Sequence, residues 1–517
     1  MTAPLPPKAL TRIVFALVFL TGAWFVQGGS WAVNARFDLT RALAERGTLD
    51  CSAYHENSGD MVQWNGRWIP YKAPGLSLLG APLWALLYWG SAGGIAATKQ
   101  ALTWGAWAVN LFTTILPLAW AAAWFFRLAF RLAGNRASPA LWATAAAFTG
   151  TLLLPLSTLY LGHATAAAFL WVAFVFALGE IPGTERKGAW IGALLGLSVL
   201  VEYLALPAAA AIGLLALSRG GKTRWKAMLA GALPPLLALA AYHWILLGAP
   251  WRTPYSRPPE MFATKGAAGG IFVPPTLHVL WETTFGPYRG LFFSSPVLLA
   301  GLLGFFPAWR NGLKAPVLVS LFVAAYHFAF LWVFNGWHGG WTCGVRYFAP
   351  AILFLAWPIA LVVDRALGIV KGLAVLSAAM MLMAASVNPL VPSGDPAAGR
   401  PRPWIDYLVP AFFSGDLADQ VQSVDDRRPD DAPLVFYWPW GRKLLIPDRA
   451  LREKFDRKFP PDIYNPRNPS VKGGASNLGI LFGLPGLLSL LPLAAAWALL
   501  LYLFQRKARA LTSSPPP

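Results

Sequence analysis

The chain has 517 residues, of which 56% are hydrophobic and 13% charged. That charged share is about half of what soluble domains carry, which excludes an ordinary water-soluble globular protein. The net charge of +19 is read as Lys and Arg gathered in cytoplasmic loops, and no nucleic-acid partner is expected.

Apolar residues come in blocks of about 18 to 25, the length a helix needs to cross the hydrocarbon core. The first runs from Thr11 to about Val33, behind Lys8 and Arg12, and reads as a retained anchor. Further spans are expected at about 103–131, 139–160, 163–180, 187–202, 204–218, 225–247, 293–308, 316–334, 347–363, 367–387 and 479–503. The total is about twelve, and a close pair such as 187–202 and 204–218 could equally be one bent element. The expected fold is therefore all-α, a polytopic transmembrane bundle with juxtamembrane helices on its outer face.

The short connections set the orientation. With the N-terminus inside, Arg127/Arg131/Arg136, Arg186/Lys187, Arg219/Lys222/Arg224/Lys226, Arg310/Lys314, Arg365/Lys371 and Arg506/Lys507/Arg509 all fall on the cytoplasmic side. Three long segments, 34–102, 248–292 and about 388–478, then lie outside. The chain divides into a membrane domain (1–387), a small extracytoplasmic cap (388–478, with Pro-Arg-Pro at 401–403, Asp425 to Asp431 and apolar patches at 434–446) and a last helix with its tail (479–517). Cys51 and Cys343 both fall outside, where a disulfide is permitted, but no spacing motif demands one.

Polar residues gather in the first outer segment. Apolar residues at 37, 39, 42 and 43 predict an amphipathic helix lying on the membrane surface and closed by Gly47. Asp38 on its first turn suits a general base, and equally a helix-end charge or an ion pair with Arg41. His55, Glu56 and Asp60 crowd the next loop, either as cation or sugar ligands or as a hydrated turn. Tyr71-Lys72-Ala73-Pro74-Gly75 then leads into an apolar stretch, with Lys72 placed to pair with a lipid phosphate or to snorkel at the interface.

Further on, Glu202-Tyr203 puts an ionisable group at membrane depth, where a functional reading is the default. Arg289 in Gly286-Pro287-Tyr288-Arg289-Gly290 and Arg346 in Trp337-His338-Gly339-Gly340-Trp341-Thr342-Cys343-Gly344-Val345-Arg346-Tyr347 stand at span entrances. Each arginine either forks onto phosphate or anchors at the interface, while Trp337, His338 and Tyr347 suit a sugar face.

The order of an acid after span one, an amphipathic helix and a Lys-x-Pro entering a second juxtamembrane helix resembles the GT-C superfamily of membrane glycosyltransferases. The pattern is most similar to protein O-mannosyltransferases and the lipid A aminoarabinose transferase. Tyr71-Lys72-Ala73-Pro74-Gly75-Leu76-Ser77-Leu78-Leu79 carries most of the likeness, which is best over the first ~200 residues. The resemblance implies transfer of a sugar from a polyprenyl-phosphate donor to a hydroxyl of a protein, lipid or glycan acceptor. It implies an active site on the outer face of the cytoplasmic membrane, Asp38 as the base and Lys72 holding the donor phosphate. Relatives often carry a second acid where this chain has His163, so His163 takes that catalytic role in the implied scheme, or else is a satisfied structural histidine at a helix start, and dependence on a divalent metal is left open. Arg289 and Arg346 would complete a cationic ring around the phosphate, and direct displacement would invert the anomeric centre. The rival class is a transporter or flippase, but it should place charges near mid-span, whereas here they gather at one rim. A polysaccharide ligase or polymerase using the same carrier shares the topology.

Overall fold

In a computed structural model the described residues are 6–97, 99–179, 185–219, 221–258, 263–364, 367–391, 402–415, 417 and 477–512. Most of the expected cap, including Asp425 to Asp431 and the patches at 434–446, lies outside them, as does Arg365. The described chain is mostly helical, with five helices long and apolar enough to cross a membrane: Ala101–Leu132, Thr223–Leu247, Lys314–Val333, Gly368–Val387 and Gly486–Ala510. Several of the other expected spans are apolar helices of 10–17 residues.

Helix α1 (Lys8–Ala23) ends well short of the expected Val33. Gln27-Gly28-Gly29-Ser30 breaks it, because paired glycines cost helix stability and Ser30 caps a new helix by accepting from the Val33 amide (3.3 Å). That helix, α2 (Trp31–Arg46), closes at Gly47 with φ 64°, as expected of a left-handed C-terminal glycine. It is not a half-wet surface helix, since every residue from Ala32 to Ala42 is buried.

The expected surface loop then holds an element that the sequence reading had not singled out. Strands β1 (Met61–Trp64) and β2 (Arg67–Pro70) pair antiparallel, Met61 opposite Pro70 and Trp64 opposite Arg67. Asn65 and Gly66 both have positive φ (49° and 78°), as a two-residue hairpin turn requires.

From α3 (Gly75–Gly90) the chain enters the bundle. Helices α4 (Lys99–Asn110) and α5 (Leu116–Leu132) run on through one π turn. Next come α6 (Ala137–Thr149), the short α7 (Leu153–Ser157), and α8 (Gly162–Ala177), which is buried on all sides. A helix apolar all round belongs in the middle of the molecule, and Trp171 of α8 is wrapped by Phe125 (ring centroids 5.0 Å apart) and Phe354 (5.9 Å).

Helices α9 (Glu185–Val201), α10 (Leu206–Ser218) and α11 (Gly221–Leu247) follow. Gly188, Gly192 and Gly196 form a stripe on α9 that lets α11 pack backbone against backbone. A Cβ at Gly188 would stand 2.8 Å from Ala227 Cβ, and one at Gly192 would overlap the Met228 carbonyl. Then come α12 (Leu277–Thr284), α13 (Leu291–Ser294), α14 (Leu298–Arg310), α15 (Lys314–Val333), α16 (Ala349–Ala356), α17 (Ile359–Val362) and α18 (Leu367–Val387). The C-terminal helix Leu491–Thr512 returns to α1, Trp497 Nε1 donating to Thr21 Oγ1 at 2.9 Å.

Two of the basic connections adjoin: Arg136 pairs with Asp364, and Lys371 lies 5.2 Å over the Trp142 ring. Large apolar side chains stand exposed on its flanks, among them Leu303 (71%), Leu214 (68%) and Trp244 (61%), a surface suited to lipid rather than water.

Candidate functional site

Four helix ends meet at the site. Gly75 at the start of α3 and Gly162 at the start of α8 both abut the last turn of α9. A Cβ at Gly75 would lie 2.5 Å from the Leu200 carbonyl, and one at Gly162 2.7 Å from the Val201 carbonyl. This packing brings Lys72, His163 and Glu202 to one place although the first and last are 130 positions apart in the chain. Glu202 itself is extended (φ −150°, ψ 114°), breaking α9 from α10. Its Oε2 lies 3.0 Å from His163 Nδ1 and 3.6 Å from Arg36 Nη2 of α2. Arg36 is anchored in turn by donating to Ala32 O (2.8 Å), and its own carbonyl accepts from Ser77 Oγ (2.7 Å).

The hairpin supplies the second ion pair. The Tyr71 amide donates to Asp60 O (2.7 Å), closing the base of the ribbon, and this sets Lys72 Nζ 3.0 Å from Asp60 Oδ2. Both side chains are about one-tenth exposed, so each charge is held by the other rather than by water.

Beside these groups opens a cavity of about 970 Å³, large enough for a drug-sized ligand. Its wall includes Asp60, Tyr71, Lys72, Glu202, Tyr203, His338, Arg346 and Tyr347, all expected pocket or phosphate residues. One wall is tyrosine: Tyr255 meets Tyr71 with ring centroids 4.4 Å apart and Tyr203 at 5.8 Å. Burial, and then the charge of Asp60, hold the Tyr71 phenol well above its usual range, so it stays a neutral hydroxyl. The Tyr203 hydroxyl lies 2.9 Å from His243 Nε2, whose Nδ1 is 3.1 Å from Pro250 O. The facing wall is phenylalanine, with Phe330 and Phe334 packed edge-on against Tyr347.

Arg346 stands out for its charge. It is 6% exposed and its Nη2 donates to the Tyr347 hydroxyl at 3.4 Å. Among the described residues no carboxylate lies within ion-pair distance of it. On the same loop the Gly340 amide donates to His338 Nδ1 (3.0 Å). In the neutral ring that contact leaves the proton on Nε2.

Other expected site residues stand away from this wall. Asp38 is fully buried on α2, its Oδ1 accepting from Asn57 Nδ2 at 2.9 Å. His163 is buried behind Glu202, edge-on to Tyr347 (5.4 Å). Arg289 is buried behind the 339–346 loop, and Trp337 packs on Tyr288 (5.9 Å). His55 stacks on Trp68 (4.6 Å, 17°) with Nδ1 against Ser52 O, while Glu56 is exposed. His55, Glu56 and Asp60 therefore do not converge, and among the described residues no group of three or more His, Cys, Asp or Glu could hold a metal ion.

Sequence reasoning passed over Tyr255, Trp251, Arg252 and the phenylalanines 272, 330 and 334, all on the cavity wall. Asn65-Gly66 between Met61–Trp64 and Arg67–Pro70 was a readable hairpin signal that would have moved attention from Asp38 to Asp60 at its base. The chain matches no protein-family model and no curated protein.

Proposed function

We propose that this protein is a membrane glycosyltransferase of the GT-C type that moves a sugar from a polyprenyl-phosphate donor to an acceptor hydroxyl. In this reading it spans the cytoplasmic membrane about twelve times, N-in and C-in, with the cavity facing the periplasm or exterior. The observation that carries the reading is Arg346, a buried cation with no carboxylate at ion-pair distance among the described residues. It shares a cavity with Lys72 and with rings suited to stacking on a sugar. Asp60 and Glu202 act on this charge only from beyond ion-pair distance, so a ligand phosphate in the cavity would give it a closer countercharge.

Lys72 and Arg346 would receive the lipid phosphate and offset the negative charge that grows on it as the bond to the sugar breaks. As Lys72 turns to the phosphate it releases Asp60, which takes the base role that the sequence pattern placed on Asp38. The acceptor oxygen attacks the anomeric carbon, its proton passes to Asp60, the carbon–oxygen bond to phosphate breaks, and polyprenyl phosphate leaves with inversion at the sugar. Glu202, held by Arg36 and His163, orients the acceptor from the same wall.

The test uses protein in nanodiscs with a panel of radiolabelled polyprenyl-phosphate sugars and varied acceptors. Wild type should release polyprenyl phosphate and transfer label. Asp60→Asn should lower the rate by about 10²-fold or more, the scale of a lost general base, and Asp38→Asn by much less. No turnover with any carrier and acceptor would sink the reading in favour of transport or scaffolding, and equal loss in both variants would return Asp38 to the mechanism.

A further inference from the structure

Arg289 bears the same sequence signature as Arg346, a guanidinium beside a tyrosine in a glycine-rich turn, yet it is 0% exposed and does not line the cavity. Its Nη2 donates to Gly340 O at 3.2 Å and to Val391 O at 3.4 Å. The Thr342 amide donates to the same Val391 carbonyl at 2.9 Å. One guanidinium thus ties the 339–342 loop to the chain leaving α18. The turn that carries Arg289 is itself braced: the guanidinium lies 4.8 Å over the Tyr288 ring, and the Tyr288 amide donates to Glu282 Oε2 (3.1 Å).

The held loop reverses through Gly339 and Gly340, with φ of 73° and 63°, a conformation that side-chain-bearing residues rarely adopt. It lies along the Arg346 side chain. A Cβ at Gly339 would stand 3.2 Å from Arg346 Cγ, and one at Gly340 3.7 Å from Arg346 Nη2. Where this backbone sits therefore decides where the Arg346 guanidinium sits.

We propose that Arg289 is a positioning residue: through the Gly340 carbonyl it holds the loop that sets Arg346 in the cavity, and it does not touch the ligand. One terminal nitrogen, Nη2, reaches both carbonyls, so a lysine ammonium, which also carries several donors on one nitrogen, should keep most of the hold. The ligand half of this inference rests on the function proposed above.

The experiment measures the dissociation constant of farnesyl phosphate, by calorimetry, for protein in nanodiscs. It is paired with hydrogen exchange of the 336–346 peptide. Arg346→Gln should weaken binding about tenfold or more, and Arg289→Met about tenfold. Arg289→Lys should stay within about threefold of wild type, and the double variant should be no weaker than Arg346→Gln alone, because residues acting through one another are not additive. Exchange at 336–346 should quicken in Arg289→Met while 206–218 stays as in wild type. Wild-type affinity in Arg289→Met, losses that multiply in the double variant, or unchanged exchange at 336–346 would each overturn the proposal. If Arg289→Met loosens the whole chain, Arg289→Lys decides by the same exchange measurement. If wild type fails to bind farnesyl phosphate, the anionic-lipid reading falls, and exchange alone still judges the clamp.

Discussion

Cys51 and Cys343 are both fully buried and free. Burial, together with the charges of Asp38 and Asp50, holds the Cys51 thiol well above its usual range, and burial pushes Cys343 up to about 12. A thiol kept protonated and out of solvent does not react. Folded protein at about pH 7.5 should take up no maleimide, and protein unfolded without reductant should take up two labels, read by intact mass. Fewer than two would reveal a bridge. Residue chemistry was legible in the sequence where it concerned type: Lys72, Asp60, Glu202 and Arg346 were all named from charge and setting. It was not legible where it concerned direction, and Arg289 and Arg346 show why. Both sit in Gly-Tyr-Arg surroundings, and only the packing of their turns sends one guanidinium into the cavity and the other behind it.

The α9–α11 crossing is the clearest test at the level of elements. Gly192 meets the Met228 backbone and Gly231 meets the Ala189 backbone, so any side chain must push two main chains apart. Gly192→Leu should cost about 3 kcal/mol or more, as overpacking against backbone does, and lower the unfolding temperature by several degrees. Gly372→Ala in α18, where a Cβ would meet nothing within 4 Å, should leave it unchanged or slightly raised. Equal behaviour of the two would refute the close crossing. Helix positions followed from apolar run length, and α8, α10, α11 and α15 lie close to where they were expected. Breaks were harder to place. The halt at Gln27–Ser30 rests on a cap and paired glycines, and the one at Glu202 on ion pairs from other helices, which a hydropathy window averages away.

At the scale of the whole molecule, α9, α10 and α15 each bring one end toward the cavity and carry Lys187, Arg219 and Lys314 near the other. In the topology proposed above, the positive-inside rule puts that cavity on the outer face. Single cysteines in the exposed Glu56 loop and at Asn135 give the check, since both native thiols are buried. An impermeant maleimide should label Glu56→Cys in intact cells and Asn135→Cys only after permeabilisation. The opposite pattern would invert the topology and remove the outer-face mechanism.

Composition and apolar periodicity alone were enough to establish a helical chain built to meet a bilayer, because both are local properties that each segment carries by itself. The Asn-Gly hairpin is a local signal of the same kind, although the sequence reading did not use it. Which side chains share a cavity was decided only in three dimensions. Lys72, Glu202 and Arg346 lie far apart in the chain, and they meet because glycines at 75 and 162 let helix ends touch backbone and because Arg289 ties down a loop. No local pattern encodes such contacts, since each depends on the shape of a surface contributed by another part of the chain.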